Sequence, residues 1–282
     1  MEKIQEITIK GSERTEVVKA WNSQIDIKVN IAGNGPAIVY FHPAAGLFWD
    51  PFLDRLAEKY TVYAPEMPGT TVGDPYAIHK IDTFWDLLLI YEEVVRKLEI
   101  EPVCAIGQSL GGMVTADLAA NFTELFGKVV LLNPIGLWSD DAPVLTNKLL
   151  IDPPQNIPGY LFVDPGNPIA VKMLTPPADP EQAVKHIAHA VWSLGCSAKF
   201  IWPFPDQGLA KRLHRIAVPT LVIWGKQDTL VPSVYAESFR KEIANCEVEI
   251  IDNCGHIPPP RYTDLMPKPP RCVASGSPRL RS

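Results

Sequence analysis

Long apolar runs are missing from this sequence, and so is any excess of basic charge. No hydrophobic stretch approaches the roughly 20 residues of a membrane span, so no membrane partner is expected. The opening residues Met1-Glu2-Lys3-Ile4-Gln5-Glu6 lack the apolar core of a secretory signal, which predicts a cytoplasmic location. A net charge of −6 argues against a nucleic-acid partner. Cysteine is scarce as well. Five are scattered at Cys104, Cys196, Cys246, Cys254 and Cys272, with no pair at metal-ligand spacing, as expected for free thiols in a reducing compartment. No internal repeat is present. What remains is ample apolar material, 46% of 282 residues, enough for a large core in one domain or in one domain carrying an insertion.

The most informative stretch is Val103-Cys104-Ala105-Ile106-Gly107-Gln108-Ser109-Leu110-Gly111-Gly112-Met113. It opens as a buried strand, passes through G-Q-S-L-G, and continues into an Ala- and Leu-rich run suited to a helix. Strand, G-x-S-x-G and helix together form the nucleophile-elbow pattern, which points to Ser109 as a nucleophile. Gly107 and Gly111 let the flanking backbones approach, and the unpaired N–H groups of the new helix favour negative charge at the serine.

Around this stretch the chain alternates strands and helices. Ile7–Ile9, Glu16–Ala20 and Ile25–Val29 read as half-exposed antiparallel strands. Ala37–Phe41, Tyr60–Pro65 and Lys128–Asn133 are continuously apolar, as in a sheet covered on both faces, with helical segments at Asp50–Lys59 and Ile81–Leu98. Thr220–Trp224, a helix over Ser233–Ile243 and Glu247–Ile251 resume the pattern. The expected fold is α/β, a mostly parallel central sheet flanked by helices, with a helical lid inserted after the sixth strand. The lid is assigned to 138–213, rich in proline and holding one good helix, with Asp179 as N-cap, Pro180 at its first position and Glu181–Leu194 following. Residues 1–137 and 214–258 would form the core, and 259–282 a Pro- and Arg-rich tail.

A serine hydroxyl needs a base, and the base needs an orienting acid. Asp228 follows strand Thr220–Trp224 and His256 follows strand Glu247–Ile251, so both belong at the sheet edge that carries the elbow. The order Ser, Asp, His is the one expected with a G-x-S-x-G elbow. His79 and His214 lie among charged residues and read as surface. His186 and His189 share a helical face but lack a third ligand, so no metal is assigned. Asp252 reads as a turn residue.

With G-Q-S-L-G-G, G-K-Q-D and G-H-I-P in these contexts, the sequence resembles the α/β-hydrolase family over roughly residues 24 to 258. The resemblance implies an oxyanion hole built from the N–H of Leu110 and one from the loop after Ala37–Phe41. The family's H-G-x becomes His42-Pro43-Ala44 here. Pro43 has no N–H, so Ala44 is the expected donor, with His42 holding the loop. Asn133 stands where some relatives carry the acid, and an amide there favours Asp228. Phe48, Trp49, Trp192 and Trp202 are candidate substrate contacts, alongside Phe200 and Phe204, although packing between lid and sheet accounts for any one of them as well.

The tail departs from the resemblance. Relatives continue from G-H-x-P into a long final helix, whereas Pro258–Arg261 leads into a basic, proline-rich run that forms no such helix. An altered C-terminus that leaves sheet uncovered, and lowers stability, is expected, with a regulatory tail as the rival. The expected activity is hydrolysis of carboxylic esters of apolar or aromatic small molecules through an acyl-enzyme, with no cofactor and no metal. A homodimer is left open. Carbon–carbon bond hydrolysis of the meta-cleavage-product type is second, because Ile257 and His42-Pro43-Ala44-Ala45-Gly46 depart from that group. A catalytically disabled, hydrolase-fold binding protein is third. Epoxide hydrolysis and dehalogenation are disfavoured, since relatives with those activities carry aspartate where Ser109 stands.

Overall fold

The structure, a computed structural model, describes residues 9–71, 74–101, 104–202, 205–257 and 263. The strand expected at Ile7–Ile9 falls largely outside them, as do Phe204, Cys272 and nearly all of the tail. The first described strand is β1 (Arg14–Ala20), followed by β2 (Ile25–Ala32), β3 (Ala37–Phe41), β4 (Thr61–Pro65), β5 (Cys104–Gln108), β6 (Val129–Leu132), β7 (Thr220–Gly225) and β8 (Cys246–Ile251). They form one sheet in the order β1-β2-β4-β3-β5-β6-β7-β8. β1 and β2 pair antiparallel, β2 meets β4 antiparallel, and every later pairing is parallel. One register row runs Phe41, Gly107, Leu131, Val222, Val248 across five strands. The loops that leave this row carry His42, Ser109, Asn133, Asp228 and His256, all at one edge of the sheet.

The central strands are apolar because both faces are covered. Val129, Val130, Leu131 and Leu132 are wholly buried, as is Trp224, whose indole N–H donates to the Val231 carbonyl at 2.9 Å. Helices α1 (Pro51–Ala57), α2 (Phe84–Lys97) and α3 (Leu110–Asn121) start at signals written in the sequence. Asp50 caps α1, accepting from the Leu53 N–H at 2.9 Å. Thr83 and Asp86 form a reciprocal capping box at the start of α2. From Leu110 through Ala120, α3 is buried on every side, which its glycines and alanines permit by letting it lie close against the sheet.

Between β6 and β7 the chain forms α4 (Lys148–Ile151), α5 (Ile157–Leu161), α6 (Pro168–Leu174) and α7 (Pro180–Ile201), with no strand among the described residues. Asp179 caps α7 by accepting from the Gln182 N–H at 2.9 Å, and Pro180 is its first residue. The helix runs on to Ile201, past the Leu194 expected from sequence. Its continuation is held by a buried row, Ser193, Cys196, Ser197 and Phe200, which docks on the loops at the sheet edge. Helix α8 (Tyr235–Glu242) packs on β7 and β8. No described helix is long and apolar enough to cross a membrane.

Candidate active site

Ser109 sits between β5 and α3 with φ 54° and ψ −113°, a positive φ that a non-glycine residue adopts only under constraint. The constraint is visible in its neighbours. A Cβ on Gly107 would lie 2.1 Å from the Gly111 carbonyl oxygen, and one on Gly111 would lie 2.0 Å from that of Phe41. Only glycine lets α3 press its first turn against β5 and the end of β3 this tightly. Ser109 is also the N-cap of α3, yet its hydroxyl makes no cap bond. Instead its Oγ lies 2.9 Å from His256 Nε2.

His256 is buried, and its Nδ1 lies 2.7 Å from Asp228 Oδ2. Asp228 is fixed in turn. Its Oδ1 accepts from the N–H groups of Leu230 and Val231, both at 2.9 Å, and its Oδ2 also accepts from Asn133 Nδ2 at 2.6 Å. Two donors per oxygen satisfy a carboxylate with almost no access to water. The structure therefore brings Ser109, His256 and Asp228 into one hydrogen-bonded chain. Asp252 lies apart, pairing with Lys226 at 2.7 Å in an exposed turn, and His79 and His214 are exposed.

The loop after β3 is pinned from several sides. His42 is buried; its Nδ1–H donates to the Pro43 carbonyl at 2.7 Å and its Nε2 accepts the Met67 N–H at 3.1 Å. Burial lowers its pKa below the ordinary histidine value, in keeping with a neutral ring that donates at one nitrogen and accepts at the other. Pro43 also accepts from the Gly46 N–H at 3.2 Å, closing a turn in which Gly46 has φ 99°. Ala44 lies inside this turn. Leu110 is the first residue of α3, so its N–H is one of the helix's unpaired donors, directed toward the serine end.

Helix α7 reaches into this region. Ser197 Oγ donates to the Ala44 carbonyl at 2.8 Å, and Trp192 Nε1 donates to the Gly69 carbonyl at 2.8 Å. Ser193 Oγ and His189 Nε2 lie over Gly46, 2.6 and 3.0 Å from where its Cβ would be. Burial lowers the His189 pKa too. On the other side, the Leu161 carbonyl accepts the Ile257 N–H at 3.1 Å, so the inserted segment also touches the histidine loop.

The aromatic candidates divide. Phe48 lies beneath α7, its ring 4.7 Å from that of His186 and 5.4 Å from that of His189. Trp192 is partly exposed along α7, and Trp202 is half-exposed at its end. Trp49 turns toward α1 instead, donating to Asp54 Oδ1 at 2.8 Å and packing on the core beneath that helix. Sequence reasoning missed Ser193, Ser197 and the bridging part played by Asn133. Two serines four residues apart, in step with apolar positions of a helix, were the available signal for the first two. No group of three metal-ligating side chains occurs among the described residues. Burial pushes the Cys104 thiol up to about 12 and the Cys196 thiol up to about 11, which leaves both unreactive at neutral pH.

A mostly parallel α/β sheet that presents a strained serine and a buried histidine at its C-terminal edge defines a hydrolase framework. The match to known proteins agrees. The chain belongs to the alpha/beta hydrolase family, whose model matches residues 38–265. The 2-hydroxy-6-oxononadienedioate/2-hydroxy-6-oxononatrienedioate hydrolase of Cupriavidus pinatubonensis is 28% identical over 272 residues, covering 90% of this chain and 92% of that protein. The monoacylglycerol lipase ABHD6 of Homo sapiens is 24% identical over 243 residues, covering 79% of this chain and 71% of that protein. Among solved structures, a bacterial membrane phospholipase A superposes with a TM-score of 0.69 at 20% identity, covering 86% of this chain and 79% of the other.

Proposed function

We propose that the protein is a serine hydrolase that cleaves carboxylic esters of apolar or aromatic small molecules. One observation carries the proposal: Ser109 Oγ, His256 and Asp228 are linked at 2.9 and 2.7 Å, with the serine held at φ 54° at the start of a helix. Ser109 attacks the ester carbonyl while His256 Nε2 takes its proton. Asp228 holds the imidazole by its Nδ1–H and stabilises the charge that develops on the ring. The N–H groups of Leu110 and Ala44 receive the oxyanion. As the tetrahedral intermediate collapses, His256 returns the proton to the departing alkoxide, leaving an acyl-serine. Water, deprotonated by the same histidine, then releases the carboxylic acid and restores Ser109. No cofactor enters any step. Segment 138–213 acts as the lid, and its contacts with both the Ala44 and the His256 loops favour that assignment.

Hydrolysis of p-nitrophenyl esters of graded acyl length, in the native chain and in Ser109→Ala, tests this. Turnover by the native chain, lost in the variant, is the expected outcome, and the length profile sizes the acyl pocket. A second reading, hydrolysis of a carbon–carbon bond in a vinylogous diketone, draws on the likeness to the Cupriavidus enzyme across nearly the whole chain. It predicts consumption of a 2-hydroxy-6-oxo-dienoate, followed by loss of its visible absorbance, with esters turned over poorly. A folded protein that hydrolyses neither, and whose Ser109 takes no fluorophosphonate, would be a binding protein on a hydrolase fold.

A further inference from the structure

Helix α7 has two faces of opposite character. Ser193, Cys196, Ser197 and Phe200 turn inward, where Ser197 holds the Ala44 carbonyl. The opposite side carries Val184, Ile187, Ala188, Val191, Trp192 and Gly195, which line one shallow groove. All six are exposed, Val184 by 67%, Val191 by 63% and Ile187 by 53%. Of the 14 large apolar side chains exposed among the described residues, nine lie in segment 138–213. Apolar residues scattered singly over a surface need no explanation, whereas a contiguous stripe marks a contact.

The order of the residues says what fits the stripe. Val184, Ala188, Val191 and Gly195 are separated by four, three and four positions, the spacing of the seam between two paired helices. Ile187 and Trp192 flank the seam on either side. Turned end for end, the seam reads the same. In an antiparallel pair related by a two-fold axis, Val184 lies level with the partner's Gly195, and Ala188 with the partner's Val191. Each layer then joins a branched side chain to a small one, which lets the helices approach closely. A two-fold contact requires such a self-complementary patch. Charge is kept off the seam, since Glu181 and Lys185 pair with each other at 2.6 Å along its flank. A bilayer suits the stripe less well, because a net charge of −6 repels anionic headgroups and Lys185 is already paired.

We infer that the outward face of α7 is a homodimer contact, in which the α7 helices of two copies pair antiparallel about Val184, Ala188, Val191 and Gly195. Pairing clamps each α7 between the partner copy and its own loop after β3. Six residues a side fall short of the roughly 20–30 of a standard interface, so the dimer is weak and forms at micromolar concentrations.

Sedimentation velocity of the full chain from about 1 to 300 μM tests the contact, and wild type should pass from monomer to dimer across that range. Val191→Glu and Ala188→Lys each bring two like charges together near the two-fold axis. Each should raise the dissociation constant at least about 30-fold while leaving the circular dichroism spectrum unchanged. Cross-linking with a short bis-maleimide reads the register. The Val184→Cys/Gly195→Cys double variant should yield a covalent dimer. Val184→Cys alone should stay at the wild-type background, because its two copies would lie about 16 Å apart along the helices. The proposal is overturned by a wild type that stays monomeric throughout, by charge variants that dimerise as wild type does, or by a single cysteine variant that cross-links as well as the double. A monomer that binds phosphatidylcholine vesicles, and loses them in Val191→Glu, would overturn it in favour of a lipid-docking face. Sedimentation reads the dimer whether or not esters are turned over, so the serine-hydrolase proposal stands or falls separately.

Discussion

Ser197 donates its hydroxyl proton to the carbonyl of Ala44 at 2.8 Å, joining residues 153 positions apart. The bond fixes the peptide unit next to the expected oxyanion donor from a helix outside the sheet. Ser197→Ala removes one buried hydrogen bond, worth about 1 kcal/mol. Ester kcat should fall about 3- to 10-fold with little change in KM, because the loop's aim matters more in the transition state than in substrate binding. A loss of thermal protection in the segment around α7 with kcat and kcat/KM both unaltered would show that the bond serves packing alone.

Two glycines should respond in opposite directions to the same substitution. Gly111→Ala places a methyl 2.0 Å from the Phe41 carbonyl oxygen, so the elbow must open, at a cost of about 3 kcal/mol or more. Gly195, inside α7, has nothing within 4 Å of its missing Cβ. Gly195→Ala should therefore stabilise the protein by about 0.5–1 kcal/mol through helix propensity. Urea midpoints of the two variants would check both signs.

Burial pushes the Asp50 carboxyl up to about 6, against hydrogen bonds from the Leu53 and Phe52 N–H groups. The folded chain thus holds this proton more tightly than the unfolded chain, whose carboxyl titrates near 3.9. The group's contribution to stability is complete below about pH 4 and is lost as pH rises through about 6. Asp50→Asn keeps an acceptor at the cap and removes the titration. Relative to wild type, the variant should gain up to about 3 kcal/mol between pH 4 and pH 8. Urea midpoints that track each other in both proteins across that range would defeat this account.

Asp117 lies in α3 with no exposed side chain and is paired by the guanidinium of Arg212, which also donates to the Gln207 carbonyl at 2.9 Å. Burial raises the Asp117 pKa while Arg212 opposes the rise. Arg212→Leu strands a buried acid and should cost about 3–5 kcal/mol. Adding Asp117→Leu should recover most of that loss, since the double variant buries no unpaired charge. A double-mutant cycle on unfolding free energies reads the difference, and additive losses would contradict it.

Much of the fold and of the candidate site was legible because its signals are local. Gly107, Ser109 and Gly111 announce a turn whose geometry depends on their own missing side chains. Asp228 and His256 each follow a run of strand formers, so their positions at one sheet edge follow from parallel pairing. The caps Asp179 and Thr83 likewise speak for their own helices. What stayed hidden depends on direction in space. The inward face of α7 is marked in the sequence only by two serines in step with apolar positions, so Ser193 and Ser197 looked like ordinary helix residues. The same helix outran its expected end because docking of Cys196 and Phe200 outweighed a glycine. Trp49 lies in the loop after β3, yet Asp54 draws its ring to α1. Asn133 was read for the charge it lacks, whereas its amide donates to both Asp228 Oδ2 and the Gly255 carbonyl.

Ser109 and His256 stand 147 positions apart. A ribosome adding about 5–20 residues each second takes roughly 7–30 s to travel from one to the other. The elbow rests both on β3, made before it, and on β6, made after it, whose Leu132 carbonyl accepts the Ser109 N–H at 2.9 Å. His256, the base of the proposed mechanism, arrives only with the loop after β8. On that mechanism, a nascent chain therefore holds its serine without the base that would activate it, and its chemistry stays silent until β8 and the loop beyond it are made.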